Sequence, residues 1–88
     1  MYYVYVLISE KDGKLYTGST DDLRRRIAEH SAGYSKSTMH RRPLKLIYYE
    51  ACLLESDARR REHYLKSGMG KKYIRTRLND YFKQFVSG

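Results

Sequence analysis

The 88-residue sequence contains one cysteine, one proline and no tryptophan. A lone cysteine, Cys52, excludes an internal disulfide and removes one reason to expect export. No apolar run approaches the roughly 18 residues of a membrane-spanning helix. The start of the chain also lacks the basic region and the cleavage site of a secretory signal. We therefore expect a cytoplasmic protein without a membrane segment.

Acidic residues are a minority: 18 Lys and Arg stand against 10 Asp and Glu, which gives a formal net charge of +8. Such a positive field on a small chain favours a polyanionic partner. An anionic membrane surface would require a helix with a strongly apolar face left over for lipid. The helices predicted below use their apolar faces for a core, so nucleic acid is the expected partner, and no protein partner is indicated.

Phenylalanine is scarce as well, with two residues against ten tyrosines. Tyrosine suits the half-exposed faces of a small sheet, which is one interpretation of this excess. The other is that some hydroxyls stack, donate or titrate at a functional site. The question is sharpest at Tyr16, which lies between a turn signal, Asp12-Gly13, and a basic helix.

The pattern along the first half of the chain predicts strands over residues 2–8 and about 14–18, joined by a hairpin turn at Asp12-Gly13. A helix is expected from about residue 21, capped by Thr20 or Ser19, with Asp21 and Asp22 in its first turn. Gly33 ends this helix. A polar, basic loop over residues 34–43 leads to a third strand over 44–51.

The second half is predicted to be helical. Ser56 is expected to cap a helix that stops at Gly68, and the segment 68–72 is expected to be a hinge or turn. A third helix over about 71–86 carries a core stripe of Ile74, Leu78, Tyr81, Phe82 and Phe85. Residues 1–88 are thus expected to form one α+β domain, a three-stranded antiparallel sheet flanked by helices in the order β-β-α-β-α-α.

Polar residues interrupt the apolar stripe of the first helix. His30 falls on the same face as Leu23 and Ile27, and Arg26 lies one turn away at its edge. The pair could present two donors to one anion. In the structural alternatives, His30 lies at the edge of the core and is hydrogen-bonded to a backbone carbonyl, and Arg26 is an ordinary solvated cation.

Glu62 interrupts the stripe of the second helix, between Ala58 and Leu65. A carboxylate that faces a core requires a partner. Either a salt bridge to arginine or a divalent metal would supply it, since Mg²⁺ is often held through one or two carboxylates with water and phosphate completing its shell.

Other site classes are not supported. One cysteine and isolated histidines exclude a structural zinc site, and the chain has no phosphate-binding glycine loop. The remaining basic residues are interpreted as phosphate-positioning charge that contributes salt-dependent affinity. The positions are Lys36, Arg41, Arg42, Arg59, Arg60, Arg61, Lys71, Lys72 and Arg75.

Taken together, these elements resemble the GIY-YIG nuclease superfamily, in particular its small single-domain bacterial members of the UPF0213 kind. The two signature tripeptides correspond to YVY at 3–5 and YTG at 16–18. The segment LRRRIAEH follows in the family's phase, and ARRREHYLK resembles the helix that carries its metal-binding glutamate. The match extends over nearly all of residues 2–66.

The resemblance implies a role for each matching residue. Tyr5 and Tyr16 would be the signature tyrosines, facing each other across the hairpin, and Glu62 would anchor one Mg²⁺ or Mn²⁺ ion. Arg26 would bind the scissile phosphate, and His30 would handle protons or contact phosphate. Tyr16 is expected to activate water once cations lower its pKa, with Tyr5 orienting it, although the two roles could be exchanged. The resemblance also makes Gly18 the turn glycine that lets the backbone approach substrate.

The sequence departs from the family pattern at three points. Tyr3 stands where the first motif has glycine, Val4 is a milder change, and Thr17 replaces an isoleucine in the second motif. The family often has an asparagine beyond the glutamate helix, for which Asn79 is the candidate, although it lies off the apolar stripe.

The expected function is a divalent-metal-dependent endonuclease that hydrolyses DNA phosphodiester bonds, with DNA repair or processing as its setting. One alternative is a nucleic-acid-binding module of the same fold with little or no cleavage. A second is a small interaction protein whose charge serves an acidic protein partner. The presence of all five candidate residues argues against both alternatives, because a pure binder does not need a carboxylate in its basic groove; the five are Tyr5, Tyr16, Arg26, His30 and Glu62.

Overall fold

In the computed structural model, the sheet is built around a buried central strand. The structure describes the backbone of residues 1–87 and the side chains of residues 1–84. The elements in chain order are β1 (Tyr2–Ser9), β2 (Leu15–Thr20), α1 (Leu23–Ala32), a 3₁₀ turn (Met39–Arg41), β3 (Leu44–Cys52), α2 (Glu55–Lys66), α3 (Gly68–Arg77) and α4 (Asn79–Ser87).

The three strands are antiparallel in the order β2-β1-β3, which confirms the predicted α+β class. β1 is the central strand because its β-branched and aromatic side chains are buried on both faces of the sheet. The hairpin turn at Asp12-Gly13 is confirmed, with the Gly13 N–H donating to the Ser9 carbonyl at 2.8 Å. β2 and β3 are the two edges of the sheet.

Alternation along β1 gives the two faces different partners. Val4 and Val6 form a core with Ala58 and Leu65 of α2 and with Ile74 of α3. α1 lies on the opposite face, where its side chains meet those of the odd-numbered residues of β1. The described residues contain no helix long and apolar enough to cross a membrane.

The first helix follows the prediction at its end and departs from it at its start. Gly33 occupies the C-cap position with a φ of 84°, as expected. The N-cap is Asp22, whose carboxylate accepts a hydrogen bond from the Arg25 N–H, so the prediction of Thr20 or Ser19 is wrong. Asp22 therefore precedes the first turn of the helix and does not lie within it.

The prediction for the second helix is wrong at its start. α2 begins at Glu55, with Leu54 at the N-cap and no side-chain cap. Ser56 therefore lies inside the first turn. The carboxylates of Glu55 and Asp57 in that turn face the positive end of the helix dipole, which compensates for the missing cap.

The segment 68–72 is part of a helix and not a hinge. Ser67 caps α3, accepting from the Gly70 N–H. Gly70 is required by packing, because a Cβ there would lie 2.7 Å from the backbone carbonyl carbon of Leu65. α3 ends at Arg77, with Leu78 as its C-cap, and α4 follows, so the single helix predicted over 71–86 is two helices.

The predicted stripe is retained across this break. Ile74 is buried, and Leu78 and Phe82 pack against the core. Tyr81 is half-buried, and the side chain of Phe85 lies outside the described residues.

Candidate active site

Three aromatic side chains from β1, β2 and α1 meet on one face of the sheet. The Tyr5 and Tyr16 ring centroids are 6.4 Å apart, and the His30 ring lies 5.6 Å from Tyr5 and 5.2 Å from Tyr16. The strand register explains the meeting: Tyr5 lies opposite Gly18, and Tyr16 is two residues from Gly18 on the same face of β2. The hairpin therefore brings the two tyrosines to a common place.

His30 is hydrogen-bonded through both ring nitrogens. Its Nε2 lies 2.9 Å from the Tyr5 hydroxyl, and its Nδ1 lies 2.7 Å from the Thr38 hydroxyl. The side chain is 1% exposed, and it is the one buried residue of α1. Burial, with the nearby Arg26 cation, lowers the pKa of His30 from its ordinary value, so the ring is neutral at pH 7.

This arrangement corrects two expectations for His30. Its partners are side-chain hydroxyls and not the backbone carbonyl of the structural alternative. A buried ring with both nitrogens occupied also has no donor to offer an anion. The expectation that His30 and Arg26 together present donors to one phosphate is therefore wrong for His30.

Tyr5 is the other fully buried polar residue of the cluster, at 1% exposure. Burial raises its pKa to about 12, against an opposing influence from the Arg26 guanidinium. The Tyr5 hydroxyl consequently keeps its proton at neutral pH. Tyr16 is half-buried, so of the two phenols it is the one that solvent reaches.

Gly18 makes room for the Tyr5 ring. It lies within β2, and a Cβ at this position would approach the Tyr5 Cζ to 2.6 Å and overlap the hydroxyl oxygen. The expectation that Gly18 lies in the turn leading to the first helix is wrong, since β2 continues to Thr20.

Arg26 lies at the edge of the cluster, on α1. Its Nη1 donates to the Glu29 carboxylate at 3.0 Å, and this bond is the main reason that the pKa of Arg26 is raised. The guanidinium also faces the hydroxyl of Tyr5. Arg26 is partly exposed, so its remaining N–H groups can reach a bound anion.

Glu62 projects from α2 and is 21% exposed. The Ser19 hydroxyl donates to its Oε1 at 2.6 Å, and Lys66 Nζ lies 2.8 Å from its Oε2. Burial by itself would raise the pKa of Glu62, but the bonds from Lys66 and Ser19 outweigh it and the pKa is lowered. The carboxylate does have a cationic partner, but that partner is Lys66 and not the arginine that a salt bridge was expected to involve.

Glu62 and the aromatic cluster approach each other around the edge of the sheet. Ser19 and Tyr16 are three residues apart in β2 and so point to opposite faces. Because β2 is an edge strand, the two faces meet there. A cleft of about 350 Å³ at this edge is lined by both Ser19 and Arg26. The charge of Glu62 reaches Tyr5 and contributes to its raised pKa.

The single carboxylate sets the limits of any metal site. Among the described residues there is no group of three or more His, Cys, Asp or Glu side chains that could hold an ion. Glu62 offers hard carboxylate oxygens at a solvent-accessible position. That donor fits Mg²⁺ or Mn²⁺ held by one carboxylate, with water and substrate oxygens as the other ligands.

The basic residues expected to contact nucleic acid have different surroundings. Lys36 is exposed on the loop. Arg41 is partly buried with its Nε 3.6 Å from Asp12. Arg42 lies across Gly33 and donates to the Met39 carbonyl at 3.1 Å. These two arginines therefore help to hold the loop.

Arg59 pairs with Glu55 at 3.0 Å and lines the cleft at the β2 edge. Lys71 and Lys72 are exposed on α3 and line a separate groove of about 560 Å³. Asn79 lines the same groove, which none of the five predicted catalytic residues lines.

Three contributors to the site were not assigned a site role from the sequence. Ser19 was interpreted as a helix cap, and it instead bonds Glu62. Lys66 and Thr38 were not singled out. Alternation along β2 could have placed Ser19 on the α2 face, and the four-residue spacing could have paired Lys66 with Glu62. Thr38 lies in a loop without periodicity and gave no signal.

Comparison with known proteins identifies the family. The profile of the GIY-YIG catalytic domain matches residues 1–75. The chain belongs to the GIY-YIG nuclease superfamily. Nucleases of this superfamily generally use a divalent metal ion, and the domain indicates binding of nucleic acid.

Its relatives are UPF0213 proteins. One from Staphylococcus saprophyticus is 37% identical over 75 residues, which cover 84% of this chain and 90% of the relative. One from Natronomonas pharaonis is 48% identical over 67 residues, covering 75% and 78%. The solution structure of a UPF0213 protein from Bacillus halodurans is similar with a TM-score of 0.53 at 38% identity, covering 86% of this chain and 84% of that one.

Proposed function

We propose that this GIY-YIG protein is a single-domain, divalent-metal-dependent endonuclease that hydrolyses DNA phosphodiester bonds. The proposal is supported by the buried Tyr5–His30 pair beside an accessible Tyr16 on one side of β2, and by Glu62, which is bonded to Ser19 of the same strand, on the other. A cytoplasmic role in DNA repair or processing is part of the proposal.

The two tyrosines take different roles in this proposal. Tyr16 is assigned to activate the attacking water, because its phenol is accessible and touches the His30 ring edge. The Tyr16 oxygen would accept the water proton while the water oxygen bonds to phosphorus, and the 3′-oxygen would leave with the electron pair of its broken bond to phosphorus. Tyr5 keeps its proton, since its pKa is about 12, and orients the reacting groups.

Arg26 is assigned to the scissile phosphate. Its planar guanidinium is fixed by Glu29 at one nitrogen, which leaves other N–H groups for the non-bridging oxygens. Glu62 would hold the Mg²⁺ or Mn²⁺ ion. Such an ion, when bound, supplies positive charge to the leaving oxygen. Lys66 would have to release one Glu62 oxygen for the ion to reach it, and Ser19 would keep the other oxygen oriented.

The groove on α3 is assigned to the DNA backbone outside the cleavage point. Lys71 and Lys72 have no carboxylate partner among residues 1–84. The arginine and lysine residues of α2, by contrast, are each paired with a carboxylate: Arg59, Arg60, Arg61 and Lys66. Unpaired cations gain most from phosphate contacts, because no internal ion pair is given up. Lys36, exposed on the loop, is assigned a similar contact.

The test is metal-dependent cleavage of supercoiled plasmid, branched DNA and single-stranded DNA, with and without EDTA. We expect nicking with Mg²⁺ or Mn²⁺, and a loss of at least about 100-fold in Glu62→Gln and Tyr16→Phe. Asp57→Asn is the matched control, because it removes the same charge from the same helix away from the cleft. Equal activity of Glu62→Gln and Asp57→Asn would refute the role of Glu62.

The alternative function is a nucleic-acid-binding module of the same fold with little or no cleavage. One observation favours it: a single candidate carboxylate is available, without a cluster of metal ligands in residues 1–84. Salt-dependent binding to all three DNAs, with no cleavage in either metal, would support the module and refute the nuclease.

A further inference from the structure

Thr38 is a buried hydroxyl that the proposed chemistry does not yet use. It is 0% exposed, although it lies in the loop between α1 and β3. It occupies the N-cap position of the 3₁₀ turn Met39–Arg41, but its side chain makes no capping bond there. Its hydroxyl lies instead 2.7 Å from Nδ1 of His30. A hydroxyl diverted from a local cap to a histidine indicates a role at the histidine.

The loop holds this hydroxyl in place through bonds to β1 and within itself. The Ser9 hydroxyl donates to the Arg41 carbonyl at 2.7 Å, and the Glu10 N–H donates to the Pro43 carbonyl at 2.8 Å. The Thr38 N–H donates to the Ser35 carbonyl at 3.2 Å. The end of β1 therefore fixes the loop that carries Thr38, while the middle of β1 carries Tyr5.

The donors and acceptors around His30 fix the proton on its ring. A neutral imidazole donates from one nitrogen and accepts at the other. The Arg26 guanidinium, which can only donate, interacts with the Tyr5 oxygen and opposes the rise in its pKa. The proton of the Tyr5 hydroxyl is therefore directed to its other neighbour, His30 Nε2 at 2.9 Å. If Nε2 accepts, a neutral ring carries its proton on Nδ1, which lies 2.7 Å from the Thr38 hydroxyl.

We propose that Thr38 is a positioning residue that holds His30 in the Nδ1–H tautomer, so that Nε2 accepts from the Tyr5 hydroxyl. The catalytic part of this inference rests on the proposed function, whereas the tautomer itself does not. Without the Thr38 hydroxyl, an Nδ1–H would be buried without an acceptor. The proton would move to Nε2, where it would point at Tyr5 and remove the acceptor for the phenol proton.

The experiment measures the tautomer directly, by two-bond ¹H–¹⁵N correlation spectra of the imidazole in the full chain at pH 7.5. For the wild type we expect a protonated Nδ1 and an unprotonated Nε2. Thr38→Ser keeps the hydroxyl and should keep this pattern. Thr38→Val keeps the shape, removes the hydroxyl and should shift the population towards Nε2–H.

A second readout concerns activity. Thr38→Val should lower kcat for plasmid nicking by about 10- to 100-fold with unchanged DNA affinity, and Thr38→Ser should restore most of it. A wild-type ring protonated on Nε2, or the same ¹⁵N pattern in Thr38→Val as in wild type, would overturn the inference. The wild-type spectrum decides even if Thr38→Val does not fold. If the wild type cleaves no DNA, the nuclease proposal fails, while the tautomer assignment is still judged by the spectra.

Discussion

Gly18→Ala is the substitution for which the structure gives the clearest expected cost. The added Cβ would lie 2.6 Å from the Tyr5 Cζ and overlap the hydroxyl oxygen. Tyr5 is 1% exposed in the central strand, so its ring has little room to withdraw. Overpacking of this kind costs about 1–3 kcal/mol. A displaced ring would also lose the bond to His30, worth about 1 kcal/mol.

Replacing glycine restricts the unfolded chain, which returns about 0.4–1 kcal/mol. The net expectation for Gly18→Ala is thus a free energy of unfolding lower by about 2 kcal/mol. For a domain of this size such a loss lowers Tm by roughly 8–16 °C. The assay is urea denaturation followed by circular dichroism, with a thermal scan beside it.

Gly68→Ala is the matched control for this prediction. Gly68 begins α3, and a Cβ there would meet nothing within 4 Å, so we expect unchanged or slightly higher stability. Tyr5→Phe removes the nearest clashing atom, and Gly18→Ala should cost less in that background. Equal unfolding free energies for Gly18→Ala and Gly68→Ala would refute the packing argument.

Three further predictions concern charge. Glu50 accepts hydrogen bonds from two nitrogens of Arg61; burial alone would raise the pKa of Glu50, but this ion pair lowers it. Glu50→Gln should therefore lower the free energy of unfolding at pH 7 by about 1–3 kcal/mol. It should also weaken the loss of stability that the wild type shows as pH falls below about 4.5, as measured by urea denaturation across pH. Because the pKa of His30 is lowered on folding, the unfolded chain binds more protons, so stability should decline as pH falls through about 6.5; a His30→Gln protein with the same slope in that window would contradict this. The double variant Lys71→Ala/Lys72→Ala should reduce the slope of log K against log salt for duplex DNA by about 1.8, and a slope equal to that of wild type would remove the α3 groove from the binding surface.

The parts of the fold that the sequence predicted are those with local causes. The strands, the Asp12-Gly13 turn and the left-handed Gly33 each follow from a few adjacent residues. The errors occurred at the starts of α1 and α2 and where α3 packs on the end of α2. Gly68 and Gly70 suggested a hinge, whereas close packing of α3 on the end of α2 requires Gly70 and keeps the segment helical. A side-chain cap was also expected for α2, where two carboxylates in the first turn face the helix dipole instead.

In the candidate site, the aromatic residues could be predicted from the sequence and their hydrogen-bond partners could not. Tyr5, Tyr16 and His30 were assigned from the family pattern, and the antiparallel register explains why they meet. Their hydrogen-bond partners were not predictable, because Thr38 comes from an irregular loop whose path depends on bonds to the end of β1. Asn79 was a candidate by position along the chain, but the break at Leu78 starts a new helix there.

The burial of His30 has a consequence for how this protein tolerates change. Functional residues commonly lower the stability of a protein, so replacing them tends to give an inactive but more stable variant. Here His30, which is hydrogen-bonded to Tyr5 in the candidate site, is also the one buried residue of α1 and holds that helix against the sheet. Loss of this histidine should weaken the protein and its chemistry together. Selection for a well-folded α1 then also preserves the site, even in the absence of substrate.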